Sequence, residues 1–201
     1  MRLPESFYVR SNVVKIASEL IGKLLVTEIN GTRTSGIIVE TEAYAGVTDR
    51  ASHAYGGRHT SRTEVMYMPG GTAYVYLCFG IHHLFNVVTN VSGVPHAVLI
   101  RGIEPLDGIE TMLARRGKDK LKPALTAGPG ALSMAMGITT AHTGISLSGN
   151  RIFIEDTGNK ISRSRIIAST RVGVAYAGAD ALLPYRFHLQ GNRFVSKGKG
   201  L

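Results

Sequence analysis

A chain of 201 residues is one ordinary domain's worth, and with 44% hydrophobic and 18% charged residues it can fill a packed core, which excludes a disordered tail or a collagen-like repeat. The formal net charge of +9 carries self-repulsion that an acidic partner would relieve, although a basic protein without such a partner has the same composition. A single cysteine, Cys78, excludes an internal disulfide framework, a zinc ribbon and a cysteine-ligated iron–sulfur cluster.

The opening MRLPESFYVR has neither the apolar stretch nor the cleavage site of an export signal, so an intracellular location is expected, cytoplasmic or at the nucleoid in a bacterium. Residues 12–21 place Val13, Val14, Ala17, Leu20 and Ile21 on one helical face, and Gly22 ends the run. Lys23–Ile29 and Ser35–Tyr44 flank Asn30-Gly31 and read as a hairpin, and Ala73–Cys78, Asn86–Thr89 and Ala97–Ile100 read as further strands. Residues 65–100 hold no Asp, Glu, Lys or Arg, yet Pro69, Gly70, Gly71, Asn86, Asn90 and Pro95 break them up. No stretch reaches the ~20 apolar residues of a membrane span, so buried strands and turns are expected. A helix over 108–116 follows Asp107, with Glu110 at capping-box spacing, and stops at Gly117. A third helix begins near Gly130 and carries Ala131, Leu132, Ala135 and Met136.

No repeat or Pro/Ser-rich linker divides the chain, so residues 1–201 are expected to form a single domain. Strands outnumber helices without βαβ alternation. The predicted fold class is therefore α+β, a curved antiparallel sheet or open barrel with helices packed on it.

In Ile37–Tyr44, period two puts Ile37, Val39, Thr41 and Ala43 on one face and Ile38, Glu40, Glu42 and Tyr44 on the other. Two carboxylates and a phenol together suit a hydrolase that activates water or steadies an oxocarbenium-like sugar; a solvated strand face has the same pattern. Ala51–Arg62 is a Gly-rich, basic loop containing His53 and His59, whose donors could meet phosphate or simply face solvent. None of the seven histidines has zincin spacing, and neither a metal nor another cofactor is expected. Gly128-Pro129-Gly130 lacks the third glycine of a dinucleotide fingerprint and reads as a turn into a helix whose N-terminus could hold a phosphate. Tyr74 and Tyr76 share a strand face, as core or as a stacking surface, and Phe79-Gly80 reads as a hairpin tip presenting a ring to solvent.

In this order the segments resemble the alkyladenine (3-methyladenine) DNA glycosylase family. The resemblance runs through Val39-Glu40-Thr41-Glu42-Ala43-Tyr44, Asp49, Ala51-Ser52-His53, Gly56-Gly57-Arg58, Met66 and Gly71–Tyr76. It continues through Gly80, Asn86, Leu99-Ile100-Arg101, Glu104-Pro105-Leu106, Gly128-Pro129, Arg171–Val174 and Pro184–Phe187, from about Leu24 to Val195. It implies an open-barrel fold similar to the C-terminal domain of formyltransferases, with a β-hairpin inserted into DNA. The implied activity is that of a monomeric, monofunctional enzyme acting on double-stranded DNA, flipping a damaged purine into a pocket and letting water displace it from C1′. By position, Glu42 would be the general base and Arg101 would hold the attacking water from the other side. Tyr44, His53 and Tyr76 would wall the flipped base, and Asn86 would sit at its edge, rejecting the 2-amino group of guanine. Phe79 would fill the gap in the duplex. Phe79 stands where mammalian members carry tyrosine, and Ala131 where many members carry lysine.

Two other classes share parts of this pattern. A binding module without catalysis gains nothing from a carboxylate facing DNA, and a hydrolase of free nucleosides has no use for the Phe79 wedge. Nor does it need the nine Lys or Arg that face three acids in residues 151–201, a basic segment expected to hold the duplex.

Overall fold

The computed structural model of the chain describes residues 1–159, 161–198 and 200. Its trunk is a long strand, β2 (Thr32–Tyr44), which serves two partners along one edge. Its first half pairs with β1 (Leu24–Ile29), and Glu40–Glu42 pair with β8 (Arg186–Leu189). Its other edge pairs with β5 (His96–Pro105), which leads through β4 (His82–Thr89) to β3 (Ala73–Cys78). β1 continues to β6 (Ile152–Glu155), and β8 to β7 (Ile166–Ser169). Every pairing is antiparallel, and the eight strands form one curled sheet, a half-barrel, with helices packed on it, as the composition of elements predicts.

A short helix, α1 (Glu5–Tyr8), precedes α2 (Val13–Leu20). The Asn12 side chain caps α2 by accepting the Lys15 N–H at 2.9 Å. Its buried stripe is Val13, Ile16, Ala17 and Leu20; Ile16 replaces the predicted Val14, which is only half-buried. The stripe lies on β2, where Thr41 Oγ1 donates to Ala17 O at 2.8 Å. α3 (Ile109–Arg116) packs on α4 (Pro129–Met136), and α4 on β4 and β5. This buried face gathers Ile16, Leu20, Val39, Ala43, Val75, Phe85, Ile100, Leu132 and Met136. Tyr74, Met66, Val88 and Ala97 form a second cluster under the chain between β2 and β3, and this opposite face carries the site.

The predicted capping box at Asp107 does not form. The cap of α3 is Gly108, left-handed at φ 70, with no side-chain bond, while Asp107 accepts the Ser35 hydroxyl at 2.7 Å. Packing against β2 decides this, since a Cβ on Gly108 would lie 2.4 Å from Arg33 O. Strands β6, β7 and β8 fall where composition signals only a basic segment, and β5 runs five residues beyond Ile100.

Candidate active site

The site begins with an irregularity in β2. Its register with β5 shifts between Ile38 and Glu40 and again between Glu40 and Thr41, leaving Arg101 unopposed between Gly102 and Ile100. Bulges re-aim side chains. Here Ile38 and Val39 both enter the helical core, so Ile38 does not share the face of Glu40 and Glu42 that strict alternation predicts. Beyond the bulge the alternation holds. Glu40 and Glu42 turn away from α2 and meet Arg101, which the bulge on β5 delivers to them.

Neither carboxylate is on a solvated face; both are completely buried. Burying a charge is costly unless it is paired and hydrogen-bonded, and both are. Glu42 Oε1 accepts the Val172 N–H at 2.8 Å, Oε2 accepts the Tyr44 hydroxyl at 2.8 Å, and Arg101 Nη1 stands 3.4 Å from Oε1. Glu40 Oε1 accepts from Arg101 Nε at 2.9 Å, Arg186 Nε at 2.8 Å and Ser196 Oγ at 2.9 Å, and Oε2 accepts the Ser196 N–H at 2.7 Å. Burial alone would raise the Glu40 carboxyl, but Arg101, the Ser196 N–H and Arg186 together hold it below the usual carboxylate range.

Tyr44 joins this charged cluster to a cleft. Burial, then the neighbouring Glu42 carboxylate, push its phenol well above the ordinary tyrosine value, so it remains a hydrogen-bond donor. Its ring lies under the Arg171 guanidinium at 4.9 Å. Arg171 is fully buried and forks onto Asp49, Nη1 to Oδ2 at 2.5 Å and Nη2 to Oδ1 at 2.8 Å, and it also donates to Ala43 O at 2.9 Å. This clamp ties the loop after β2 to the C-terminal part of the chain. It also seats the next residue, Val172, with its N–H on Glu42.

The cleft encloses about 340 Å³ of empty space, open mouth included, and Tyr44, Ala51, His53, Met66, Tyr74, Tyr76, Asn86, Ala97 and Tyr176 line it. The His53 ring meets Tyr76 edge-on, centroids 4.7 Å apart, and its Nδ1 lies 2.9 Å from the Tyr74 hydroxyl. Arg62 sits over the Tyr76 ring at 4.8 Å and places Nη2 3.4 Å from His53 Nε2. Burial, then the charges of Arg62 and Arg58, lower His53 to about 4, so it is a neutral imidazole at physiological pH. Since Arg62 can only donate, Nε2 is the acceptor and Nδ1 carries the hydrogen toward Tyr74. Asn86 commits its amide group to Tyr74 O at 3.1 Å and Leu84 O at 3.2 Å.

At the β3–β4 turn, Phe79 and Gly80 have φ of 51° and 73°, and Ile81 N–H closes onto Cys78 O at 3.2 Å. The Phe79 ring is 91% exposed, with Leu77 and Ile81 also exposed beside it. Among the described residues, no three His, Cys, Asp or Glu side chains converge to hold a metal ion, and no helix is long and apolar enough to cross a membrane.

The fold thus brings Tyr44, His53, Tyr76 and Asn86 to one cleft, sets Glu42 and Arg101 behind Tyr44 and outside the cleft's lining, and leaves Phe79 apart at the hairpin tip. Sequence reasoning misses Tyr176 and the Val172 N–H; Tyr74, a wall of the cleft, is signalled by its alternation with Tyr76. The expectation that the basic residues of 151–201 hold a duplex needs correction. Arg171 and Arg186 are buried in ion pairs with Asp49 and Glu40 and cannot reach a duplex. Arg151, Arg163, Arg165, Arg193 and Lys197 are exposed, and Lys160 and Lys199 lie outside the described residues. Ala131 is half-buried on α4, with no ammonium to offer there.

A family model described as methylpurine-DNA glycosylase (MPG) matches residues 6–193. Curated relatives from Bacillus cereus (strain AH820), Bacillus anthracis (strain CDC 684 / NRRL 3495) and Bacillus thuringiensis (strain Al Hakam) are each 45% identical over 205 residues. The match covers 98% of this chain and 100% of each relative, and each bears the name "Putative 3-methyladenine DNA glycosylase".

Proposed function

The chain belongs to the methylpurine-DNA glycosylase family, DNA-repair hydrolases, and on that premise we propose that it flips alkylated or deaminated purines out of duplex DNA and hydrolyses their N-glycosidic bond. The observation that carries the reading is Glu42, a buried carboxylate hydrogen-bonded to Tyr44, a wall of an aromatic cleft. The flipped purine stacks against Tyr44, His53 and Tyr76, with Asn86 at its edge, and Arg101 holds the attacking water opposite Glu42. Electron-rich rings favour a base that carries alkylation charge. As the C1′–N bond lengthens, positive charge builds on the sugar, and the Glu42 carboxylate stabilises it. Glu42 takes a proton from the water, the water oxygen bonds C1′, and the base leaves with the electron pair of the broken bond.

Extrusion costs a few kcal/mol of unstacking and unpairing, least for damaged or mismatched bases, and Phe79 fills the space left behind. Among the described residues, no lysine lines the cleft to form a Schiff base, which supports a monofunctional enzyme that leaves the abasic strand uncut. We read residues 1–201 as one glycosylase domain acting as a monomer on intracellular DNA. The substrates are 3-methyladenine, 7-methylguanine, hypoxanthine and ethenoadenine.

The test is base release from duplexes each carrying one of these lesions, alongside undamaged DNA. The native protein is expected to release the lesions and leave the strand intact until alkali is added. Glu42→Gln, which keeps the shape and removes the base, is expected to bind the duplexes while release falls at least ~100-fold. Full release by that variant would refute the assignment.

A further inference from the structure

We infer that Glu40, closed over by Ser196 of the C-terminal segment, is a positioning residue that sets how Arg101 meets Glu42. The inference rests on the proposed role of Glu42 as the carboxylate that activates water. Glu42 is bonded to Tyr44, a wall of the cleft, whereas the bonds of Glu40 among the described residues go to Arg101, Arg186 and Ser196, none of which lines it; Glu40 would therefore touch neither water nor base and acts through Arg101.

The Arg101 guanidinium is divided among three partners. Its Nε donates to Glu40 at 2.9 Å, its Nη2 donates to Ser196 Oγ at 3.3 Å, and its Nη1 stands at ion-pair distance, 3.4 Å, from Glu42. The best hydrogen bond thus goes to the carboxylate that does no chemistry. Held from behind, the guanidinium approaches Glu42 without the two-pronged grip that would occupy its lone pairs and weaken it as a base. Glu40 can hold Arg101 this way because Arg186 and both Ser196 donors fill its remaining lone pairs. The C-terminal segment reaches this spot over Gly102, where a Cβ would lie 2.7 Å from Phe194 O. Two carboxylates and two guanidiniums, Arg101 and Arg186, balance in charge within the buried cluster.

Removing the Glu40 charge therefore releases Arg101 toward Glu42. Glu42 is also faced by Arg171 and the Val172 N–H, by Tyr44 on its own strand, by Tyr76 of β3 and by Tyr176. Glu40 is faced by Arg186 and His188 of β8, besides Arg101 and Ser196. None of these is altered by the substitution itself. A guanidinium brought closer to the water-activating carboxylate favours a negative charge there, and the acidic limb of the rate profile moves down.

The experiment is single-turnover base release against pH for the full-length native protein, Glu40→Gln, Glu40→Asp, Ser196→Ala and Glu42→Gln, with duplex affinity and thermal melting recorded for each. Glu40→Gln is expected to move the acidic limb down by about one pH unit. Its plateau rate is expected to fall roughly 10- to 100-fold, with duplex affinity retained. Glu40→Asp, which restores the charge, is expected to return the limb to its native position. Ser196→Ala, which removes one hydroxyl and keeps the backbone donor, is expected to shift the limb the same way by less. If Glu40→Gln melts without cooperativity, Ser196→Ala decides. Superimposable profiles for the native protein and the deciding variant would overturn the inference, and an active Glu42→Gln would overturn the parent reading instead.

Discussion

His53 shows how a single residue is given its protonation state by its surroundings. An ordinary histidine titrates near 6.5, but burial and the adjacent Arg62 and Arg58 bring this one to about 4. Its folded value lies below its unfolded value, so the folded state binds fewer protons between pH 6.5 and 4. Stability contributed by the neutral ring is therefore present above 6.5 and drains as pH falls through that window, by up to about 3 kcal/mol. Thermal melts from pH 7 to pH 4 are expected to fall more steeply for the native protein than for His53→Asn, which has no such proton to take up. Parallel pH slopes would contradict the assignment. Glu40 and Glu42 teach a complementary lesson. Their alternation is legible in the sequence, but a solvated face and a buried ion cluster are indistinguishable there, because the guanidiniums that decide between them come from β5 and β8, 59 to 146 residues away.

At the scale of elements, the β3–β4 hairpin is the part of the site most completely legible in sequence. Alternating Tyr74 and Tyr76 followed by Phe79-Gly80 specify a strand, a shared aromatic face and a tight turn, and the structure has all three. Local rules suffice because a short hairpin turn sets its own register. The exposed ring at the tip is unusual for an isolated domain, since nothing in the fold rewards it. Phe79→Ala is therefore expected to leave the melting temperature nearly unchanged. It should also reduce the fluorescence rise of a reporter base placed beside the lesion; an undiminished rise would remove the wedge. Local rules fail instead at α3, where the spacing of Asp107 and Glu110 predicts a capping box. The contact of Gly108 with β2 sends Asp107 to Ser35. They fail again over residues 151–201, where short strands of four residues carry too little periodicity to stand out from a basic background.

For the molecule as a whole, the surplus of +9 is distributed unevenly between inside and outside. Arg101, Arg171 and Arg186 are spent internally on Glu40, Glu42 and Asp49, three cations against three buried carboxylates. The exposed surplus elsewhere is free to meet phosphate, and Arg58 and Arg62 stand beside the cleft mouth, close enough to act on His53. Duplex affinity is expected to fall steeply and linearly on a log–log plot against salt. Arg58→Ala should flatten the slope by about one unit, as loss of one phosphate contact would. A flat salt profile for the native protein would show that the outward charge does not meet DNA.

The sequence by itself determined what is local or cumulative: an antiparallel α+β domain, the hairpin with its exposed Phe79, the net charge, and an ordered set of motifs dense enough to identify the family. It determined these because turn chemistry, strand alternation and composition act over a few residues or add up along the chain. Tertiary structure alone decided which charges work inside and which face outward. A bulge in β2 turned Ile38 into the core, another in β5 delivered Arg101, Arg171 carried the Val172 N–H to Glu42, and Ser196 closed over Glu40. Each of these depends on segments far apart in sequence meeting at hydrogen-bond distance, and burial makes those meetings obligatory, since a charge removed from water must find its partner or shed its charge.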